Sequence, residues 1–500
     1  MTVHLVGAGP GDPGLITVRG ADLLARADVV IYDRLSAVEL LDLAPSTAER
    51  ICVAKAPNGP TVPQERINEL LVEHGRRSGC VVRLKGGDPF VFARGGEEVA
   101  TLIEAGIDFE VVSGITSAIA APAAAGIPVT MRHSSTSFTV VTGHEDPAKG
   151  FTSVDWDALG RIGGTIVLLM GVGRIQAIVD ALLEAGRSPE TPAAAVRWGT
   201  RPAQSSVRST LIGLPEAIRA ADLGPPATIV IGEVAGLDLG WFDRRPLFGR
   251  SVVVTRARAQ ASELCARLRA LGAEVIEAPT IETVDPEDGG VAMTEALHQI
   301  PHGRYRWLVV TSPNGASRVL GACHDARALA GVKVAAIGPG TRDRLAGGGI
   351  IADLVPGRSV AEGLLEVFET APPEGGRVLL ARAASAREVL PDGLAELGWK
   401  VDDVPAYRTR AVEADDETRQ AVSEADLVTF TSSSTVENLL DAVGADKVPA
   451  RIVSIGPITS TTVAERGLEV TAEAAEATLD GLVTAVCEAL EASDQPGSEG

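Results

Sequence analysis

The sequence predicts an α/β protein of more than one domain, built on largely parallel sheets. Short valine-rich runs alternate with runs rich in alanine, leucine and glutamate almost throughout, as in VHLVGAG followed by ITVRGADLLARA. This alternation is typical of strand–helix units on parallel sheets. The length of 500 residues exceeds what a single hydrophobic core usually serves, and a hydrophobic content of 45% supplies material for several cores.

The charge and cysteine content narrow the functional classes. A net charge of −21 disfavours binding to nucleic acid and to anionic membranes, so we expect neither as a partner. The five cysteines are scattered and none forms a CxxC pair, which predicts no disulfide framework, no metal site and a reducing cytoplasm. The first residues lack the basic and apolar regions of a signal peptide, so none is expected. The nearly uncharged stretch 109–131 is rich in glycine, alanine and proline, and we do not expect it to span a membrane.

Breaks in the pattern divide the chain into segments. The clearest seam lies near 236–250, after which a fresh strand begins with SVVVTRA. A weaker break falls at 120–128, and residues 493–500 have the composition of a disordered tail.

The second half contains a weak internal repeat. VVTSPNGAS (309–317) is echoed by TFTSSSTVE (429–437), and AAIGPGTRDRLAGGG (335–349) by VSIGPITSTTVAERG (453–467). The offsets are nearly equal, which predicts one α/β unit used twice. The segments 279–286 and 404–412 are punctuated by proline and are predicted to be two extended strands that cross between lobes.

Two glycine-rich segments in the first half point to a ligand. GAGPGD (7–12) follows a strand directly, where glycine lets the backbone approach a bound molecule. A tight turn without a ligand is one alternative, and a dinucleotide site with Asp33 on the ribose is another, although Pro10 and Asp12 interrupt the GxGxxG spacing. The segment RLKGGDPFVFARGGEE (83–98) is more specific, with paired glycines, a carboxylate acceptor at Asp88 and basic residues on both sides.

The order of the motifs resembles a known family over about residues 1–240. GAGPGD, YD (32–33), Lys55 before PTVPQERIN, RLKGGDPF, SGITSA, AGIPVT, VTGH and LLMG occur in this sequence. This series is similar to the uroporphyrinogen-III C-methyltransferase branch of the tetrapyrrole methylases. The resemblance implies S-adenosylmethionine as co-substrate, bound folded between two α/β lobes.

The resemblance also implies roles for individual residues. Asp33 matches the family's proton acceptor and Lys55 its proton donor, while Arg94 and Arg132 are expected to bind substrate carboxylates. Ala54 and Ala56 flank the lysine where relatives often carry glycine and arginine, so an arginine contact to the substrate must come from elsewhere or be missing. The positions matching the S-adenosylmethionine pocket are Pro10, Gly86, Gly87, Asp88, Val91, Thr116, Ser117, Met170, Gly199 and Ala227.

Strands that end in Thr-Ser and lead into helix starts recur in the second half. Exposed helix N-termini offer N–H groups to anions, although ordinary capping explains any single one. VVVTRARAQ, LVVTSPNGA, VAAIGPGT, RVLLARA, VPAYRT, VTFTSSS and SIGPIT resemble uroporphyrinogen-III synthase across about 250–490. The resemblance implies two lobes with hydroxymethylbilane in the cleft. Tyr407 then assists loss of the hydroxymethyl oxygen, and the expected donors to substrate carboxylates are Ser312, Ser432, Ser433 and Thr459.

The sequence thus predicts a bifunctional cytoplasmic enzyme that makes uroporphyrinogen III from hydroxymethylbilane and methylates it twice to precorrin-2. We expect a homodimer formed through the methyltransferase half. Three alternatives stay open: a non-catalytic tetrapyrrole-binding second half, a methylase acting on a later corrin intermediate, and a nicotinamide oxidoreductase. The predicted domains are 1–243, with lobes 1–118 and 119–243, and 244–492, with lobes 250–283 plus 410–492 and 284–409.

Overall fold

A computed structural model describes most of the chain. The described residues are 2–33, 38–53, 62–143, 153–255, 258–279, 281–358, 360–386, 388–412 and 414–491. They form two compact units, Met1–Ser251 with Arg267–Glu274, and Val252–Ala266 with Val275–Gly500. Among the described residues, no helix has the length and apolar character needed to cross a bilayer.

The first unit contains ten strands and seven α-helices within its described residues. The strands are β1 (Thr2–Gly7), β2 (Val29–Tyr32), β3 (Glu49–Cys52), β4 (Cys80–Lys85), β5 (Asp108–Val112), β6 (Phe138–Thr142), β7 (Thr165–Leu169), β8 (Pro192–Arg197), β9 (Ser205–Thr210) and β10 (Ala227–Ile231). The helices are α1 (Val18–Leu24), α2 (Gln64–Gly75), α3 (Gly95–Glu104), α4 (Ser117–Ala124), α5 (Trp156–Arg161), α6 (Ile175–Glu184) and α7 (Leu214–Ala220).

Two sheets organise this first unit. The first has the order β3-β2-β4-β1-β5 and is parallel throughout, and its central strands are buried on both faces, as their continuous Val/Leu runs predict. The second has the order β6-β7-β10-β8-β9, in which only β6 and β7 run parallel. The prediction of largely parallel sheets is therefore wrong for this second sheet, because the short connection between β8 and β9 makes a hairpin rather than a crossover.

The described residues from Ser251 onward carry ten strands and ten α-helices, and they include the segment Arg267–Glu274 of the first unit. The strands are β11 (Ser251–Val254), β12 (Glu274–Glu277), β13 (Ile281–Val284), β14 (Trp307–Val310), β15 (Lys333–Ala336), β16 (Arg377–Ala383), β17 (Lys400–Ala411), β18 (Leu427–Phe430), β19 (Arg451–Ser454) and β20 (Ala472–Glu473). The helices are α8 (Arg258–Ala270), α9 (Val291–His298), α10 (Pro313–Ala322), α11 (Pro339–Gly347), α12 (Ala361–Val367), α13 (Val389–Glu396), α14 (Asp416–Glu424), α15 (Ser433–Val443), α16 (Pro457–Glu465) and α17 (Leu479–Glu491).

The internal repeat is confirmed as a repeated strand–helix arrangement. In one copy β14 leads into α10 and β15 into α11, and in the other β18 leads into α15 and β19 into α16. The copies lie in separate sheets, of order β13-β17-β16-β14-β15 and β12-β11-β18-β19-β20. Proline at the first helical turn of α10, α11 and α16 suits a position whose N–H has no partner within the helix.

The two segments predicted to be extended pair with each other. Strand β13 runs antiparallel to the end of β17, from Ile281 opposite Ala411 to Val284 opposite Arg408. The earlier part of β17 pairs in parallel with β16, and the register shifts between Arg382 and Ala383. Strand β17 therefore changes its partner near Tyr407, the position that the sequence singles out.

Candidate active sites

Two glycine-rich loops lie against each other at the carboxyl end of the first sheet. The backbone N–H of Gly87 donates to the carbonyl of Gly9 at 2.8 Å, and the N–H of Gly9 donates back to Gly87 at 3.3 Å. Both residues have positive φ angles, 76° at Gly9 and 68° at Gly87, a conformation that favours glycine. The motifs GAGPGD and RLKGGDPF thus form one feature, at the edge where ligands bind in open α/β sheets.

A third loop, SGITSA, is packed into the same place by close backbone contact. A Cβ atom on Gly114 would lie 2.2 Å from the carbonyl oxygen of Gly87 and 2.7 Å from the Cα of Gly7. No side chain fits at such distances, so Gly114 and its neighbour Gly7 must be glycine, while Gly87 favours glycine because of its positive φ angle.

Asp88 joins two of these loops through its carboxylate. Its Oδ1 accepts the N–H of Phe90 at 2.8 Å, and its Oδ2 accepts the N–H of Gly114 at 3.0 Å. The side chain is only 9% exposed. Asp88 therefore stabilises the crossing of the loops, and its predicted contact with a ligand stays a prediction.

The second sheet of this unit meets the third loop through α4. A Cβ atom on Gly199 would lie 2.3 Å from the Cβ of Ala121 in α4. The hydroxyl of Thr228 in β10 donates to the carbonyl of Ser117 at 3.4 Å. Thr228 pairs in turn with Leu169, so Met170 and Ala227 are chain neighbours of this contact.

The predicted cofactor positions therefore fall on segments that adjoin in the fold. One set follows strands of the first sheet: Pro10, Gly86, Gly87, Asp88, Val91, Thr116 and Ser117. The other set follows or begins strands of the second sheet: Met170, Gly199 and Ala227. Met170 is 52% exposed and has a positive φ of 56°, which places an apolar side chain at the surface in a strained backbone conformation.

Asp33 lies directly after β2, and a buried arginine binds its carboxylate. Nη2 of Arg83 donates to Oδ1 of Asp33 at 3.0 Å, where the arginine side chain is 2% exposed and the aspartate 31%. Among the described residues, Arg83 is the one hydrogen-bond partner of this partly exposed carboxylate, and it binds Oδ1. The predicted proton donor, Lys55, lies outside the described residues.

Arg83 also connects Asp33 to a buried ion cluster that was not predicted from the sequence. Oε1 of the fully buried Glu98 accepts from Nζ of Lys85 at 2.8 Å, from Nε of Arg83 at 3.2 Å and from Nε2 of Gln64 at 3.3 Å. Burial lowers the pKa of Lys85, and the neighbouring Arg83 lowers it further, against the raising effect of Glu98. The only signal in the sequence is a second glutamate, after Glu97, in the first turn of α3.

The basic residues of RLKGGDPFVFARGG do not all face a ligand. Arg83 and Lys85, which precede the paired glycines in the sequence, are buried and paired with Glu98. Arg94 is exposed and forms a two-bond ion pair with Glu97. Arg132 is exposed. Substrate contacts of the two exposed arginines stay predictions.

In the second unit, Tyr407 lies beside the first turn of α10. Its hydroxyl is 3.0 Å from Oγ of Ser312, and the tyrosine is 9% exposed. Ser312 caps α10, since its Oγ accepts the N–H of Gly315 at 3.0 Å. The structure thus joins two of the predicted residues of this half directly.

The other predicted donors of this half lie at the starts of α15 and α16. Ser432 caps α15, and the hydroxyl of Ser433 accepts from that of Thr462 at 2.7 Å. Thr459 is 4% exposed, and Thr341, which holds the same place in the other repeat copy, is 2% exposed. Packing within the repeat explains this buried threonine, and a substrate contact at Thr459 stays a prediction.

Comparison with known proteins matches each half to one family. Residues 2–215 match the model of the Tetrapyrrole (Corrin/Porphyrin) Methylases, and residues 262–484 that of Uroporphyrinogen-III synthase HemD. The Porphyrin biosynthesis protein HemD of Ruminiclostridium josui is 40% identical over 451 residues, which cover 88% of each chain. The Uroporphyrinogen-III C-methyltransferase of Methanocaldococcus jannaschii is 49% identical over 47% of this chain and 97% of its own. A solved structure of Uroporphyrin-III C-methyl transferase from Thermus thermophilus, complexed with S-adenyl homocysteine, is 40% identical over 47% of this chain and 94% of that one, with a TM-score of 0.41.

The fold is that of a two-domain α/β protein, and the matched families make it an enzyme of tetrapyrrole biosynthesis. The chain belongs to the tetrapyrrole methylases in its first half and to the uroporphyrinogen-III synthases in its second.

Proposed function

We propose that the chain catalyses two consecutive steps: closure of hydroxymethylbilane to uroporphyrinogen III, and two methyl transfers from S-adenosylmethionine that give precorrin-2. The proposed domains are 1–243 for methylation and 244–492 for ring closure. The observation that carries the first activity is the crevice of three crossing glycine loops with a buttressed carboxylate at its side. The observation that carries the second is the hydroxyl pair at the start of α10.

Methyl transfer requires alignment and then removal of a proton. A ring carbon of the electron-rich pyrrole attacks the methyl group of the sulfonium, so that a C–C bond forms as the C–S bond breaks and S-adenosylhomocysteine leaves. Holding both partners in line is the main contribution of the protein. The methylated ring then loses a proton to Oδ2 of Asp33, whose Oδ1 Arg83 binds from the buried side.

Ring closure requires loss of the hydroxymethyl oxygen. In this step the C–O bond breaks, and the hydroxyl leaves as water with a proton from Tyr407. The resulting cation is attacked by the substituted carbon of the terminal pyrrole ring, which forms a spiro intermediate. The bond from this ring to its original bridge carbon then breaks, the freed bridge carbon bonds to the other α carbon of the ring and so inverts it, and the proton lost from that carbon restores the phenol of Tyr407. Since the substrate supplies both nucleophile and electrophile, one positioned proton donor and anion-binding helix starts suffice for this half.

The methyltransferase activity is tested with the intact chain under anaerobic conditions. Uroporphyrinogen III and S-adenosylmethionine labelled in its methyl group should yield a product that carries two labelled methyl groups, detected by mass spectrometry. A chain that transfers no label to uroporphyrinogen III contradicts this part of the proposal. Transfer only to a later corrin intermediate identifies the alternative methylase.

The crossing of the glycine loops makes a prediction about the cofactor. Gly114→Ala should weaken binding of S-adenosylhomocysteine about tenfold or more, because its Cβ would lie 2.2 Å from the carbonyl of Gly87 and force the loops apart. Isothermal titration calorimetry measures the dissociation constant.

Gly96→Ala is the matched control for this substitution. Gly96 is exposed in α3 with open space around its Cβ position, so the affinity should stay at the wild-type value. Equal affinities of the two variants would show that the crevice does not hold the cofactor.

The remaining features of the proposal concern the setting of the enzyme. A net charge of −21 favours a chain that binds neither nucleic acid nor membranes, and five scattered cysteines without a CxxC pair favour the cytoplasm. Phe90, Phe92 and Ile119 are each more than 40% exposed in the first unit, which favours a homodimer through this half. Sedimentation equilibrium of the intact chain distinguishes a dimer from a monomer.

A further inference from the structure

The hydroxyl groups of Ser312 and Tyr407 form an isolated pair. Their oxygens are 3.0 Å apart, and Oγ of Ser312 also accepts the N–H of Gly315 at 3.0 Å. Within the described part of the chain, the side chain of Ser312 has these two hydrogen-bond partners and that of Tyr407 has Ser312 alone. Tyr407 is 9% exposed, and Ser312 is partly exposed.

The role proposed for Tyr407 selects a direction for this hydrogen bond. A hydroxyl has one proton and two lone pairs. Only one of the two protons can lie between Ser312 and Tyr407, and the other then has no acceptor among the described residues. If Ser312 donates, the proton left over belongs to Tyr407 and is available to the leaving hydroxyl of the substrate, whereas donation by Tyr407 would use that proton inside the protein. The N–H of Gly315 in the positive first turn of α10 also polarises the serine hydroxyl and makes it a better donor.

We propose that Ser312 is a positioning residue for ring closure: it donates to the phenol oxygen of Tyr407 and so directs the phenol proton toward the leaving hydroxyl of the substrate. The proposal rests on the proposed role of Tyr407 as proton donor. It replaces the expectation that Ser312 binds a substrate carboxylate, because the one proton of its hydroxyl is used inside the protein.

The internal repeat separates this role from ordinary helix capping. Ser432 holds the equivalent place in the other copy and caps α15. Its hydroxyl contacts Ser434 at 3.0 Å and Thr435, with no tyrosine among its partners in the described chain. The repeated unit therefore needs a serine cap but not a phenol partner.

The backbone around Tyr407 holds the phenol in place. The N–H of Ala384 donates to the carbonyl of Tyr407 at 2.9 Å, beside the register shift where β17 leaves β16. Irregularities of this kind re-aim side chains next to active sites. The phenol is thus fixed by its own strand, and the remaining freedom, rotation of its proton, is set by Ser312.

Three substitutions at position 312 distinguish two roles of the serine: capping of α10 and donation of a hydrogen bond to the phenol oxygen of Tyr407. Ser312→Thr keeps both the cap and the donor. Ser312→Ala removes both. Ser312→Asp keeps the cap, since aspartate caps helices as well as serine, but it has no proton at neutral pH and turns the phenol proton toward itself. Tyr407→Phe provides the reference for loss of the proton donor.

The experiment follows the formation of uroporphyrinogen III by the intact chain, and it measures kcat and the KM for hydroxymethylbilane. We expect kcat of Ser312→Thr within about twofold of wild type, that of Ser312→Ala about tenfold lower, and that of Ser312→Asp close to the Tyr407→Phe value. KM should change little, because the serine does not touch the substrate. The chain has three tyrosines, so a ring-carbon label resolves Tyr407 by nuclear magnetic resonance. The chemical shift of the labelled Tyr407 carbon should differ from wild type in the alanine and aspartate variants and equal it in the threonine variant.

The outcomes separate this proposal from the function on which it rests. If Tyr407→Phe loses kcat while Ser312→Ala and Ser312→Asp keep it, the role of Tyr407 stands and the positioning role of Ser312 is overturned. If Tyr407→Phe keeps wild-type kcat, the proposed role of the tyrosine itself fails. If the aspartate variant is unfolded by circular dichroism, the difference in kcat between the alanine and threonine variants decides.

Discussion

The Asp33→Asn variant is expected to methylate uroporphyrinogen III about 10²- to 10⁴-fold more slowly than wild type, the range for loss of a general base. The amide oxygen of asparagine can still accept from Nη2 of Arg83, so the contact at 3.0 Å and the local fold should persist. What is lost is the basic oxygen that takes the ring proton. Ring closure of hydroxymethylbilane by the same molecules should proceed at the wild-type rate, which verifies intact protein in the same sample.

An exposed aspartate on the same sheet provides the control. Asp108 begins β5 and lies on the surface, and Asp108→Asn should leave the methylation rate within about twofold of wild type. Methylation rates are compared at saturating S-adenosylmethionine, so that a change in the affinity for this co-substrate does not alter them. Wild-type methylation by Asp33→Asn would remove the aspartate from the mechanism.

The second large effect concerns stability. Glu98→Gln is expected to destabilise the first domain by about 3–5 kcal/mol, because it removes the negative charge that Arg83 and Lys85 share inside the protein. Among the residues that the structure describes, Asp33 then remains as the only carboxylate bonded to this cluster, and it contacts the arginine alone. Scanning calorimetry of the intact chain measures the loss of stability. The unfolding transition of the first domain is recognised because S-adenosylhomocysteine raises its midpoint temperature.

Alkaline pH should partly rescue the Glu98→Gln variant. Burial already lowers the pKa of Lys85, and without Glu98 the pKa falls further. The unfolded chain keeps a lysine with an ordinary pKa near 10.4, so between the two values the unfolded state binds the extra proton and stability rises with pH. The deficit relative to wild type should therefore be smaller at pH 9 than at pH 7.

The neighbouring glutamate is the matched control for stability. Glu97 is 56% exposed and pairs with Arg94 at the surface, so Glu97→Gln should cost less than about 1 kcal/mol. Equal destabilisation by the two glutamine variants, or no effect of Glu98→Gln, would show that the buried cluster does not stabilise this domain.

The sequence predicted the parts of the fold that local rules govern. Glycines mark the crossing loops because Gly9 and Gly87 need positive φ angles and Gly114 has no room for a side chain. The repeat in the second half and the extended strands β13 and β17 were likewise visible as patterns. Such features depend on neighbours in the chain or on backbone conformation, which residue types report directly.

Features that depend on distant partners escaped prediction. The pairing of Glu98 with Arg83 and Lys85 joins α3 to β4 in the interior, and a glutamate in the first turn of a helix looks like an ordinary surface residue. The antiparallel course of β10 between β7 and β8 is set by how the sheet assembles and leaves no mark in its hydrophobic run. The bond between Ser312 and Tyr407, 95 residues apart, is likewise invisible in the sequence.

The most direct test of two activities on one chain is a single incubation. Purified full-length protein is mixed anaerobically with fresh hydroxymethylbilane, with and without S-adenosylmethionine, and the products are oxidised and resolved by isomer. The account predicts uroporphyrin III without the methyl donor and a dimethylated product with it. Uroporphyrin I alone, the isomer that uncatalysed closure gives, would contradict the synthase activity and leave the second half as a tetrapyrrole-binding module.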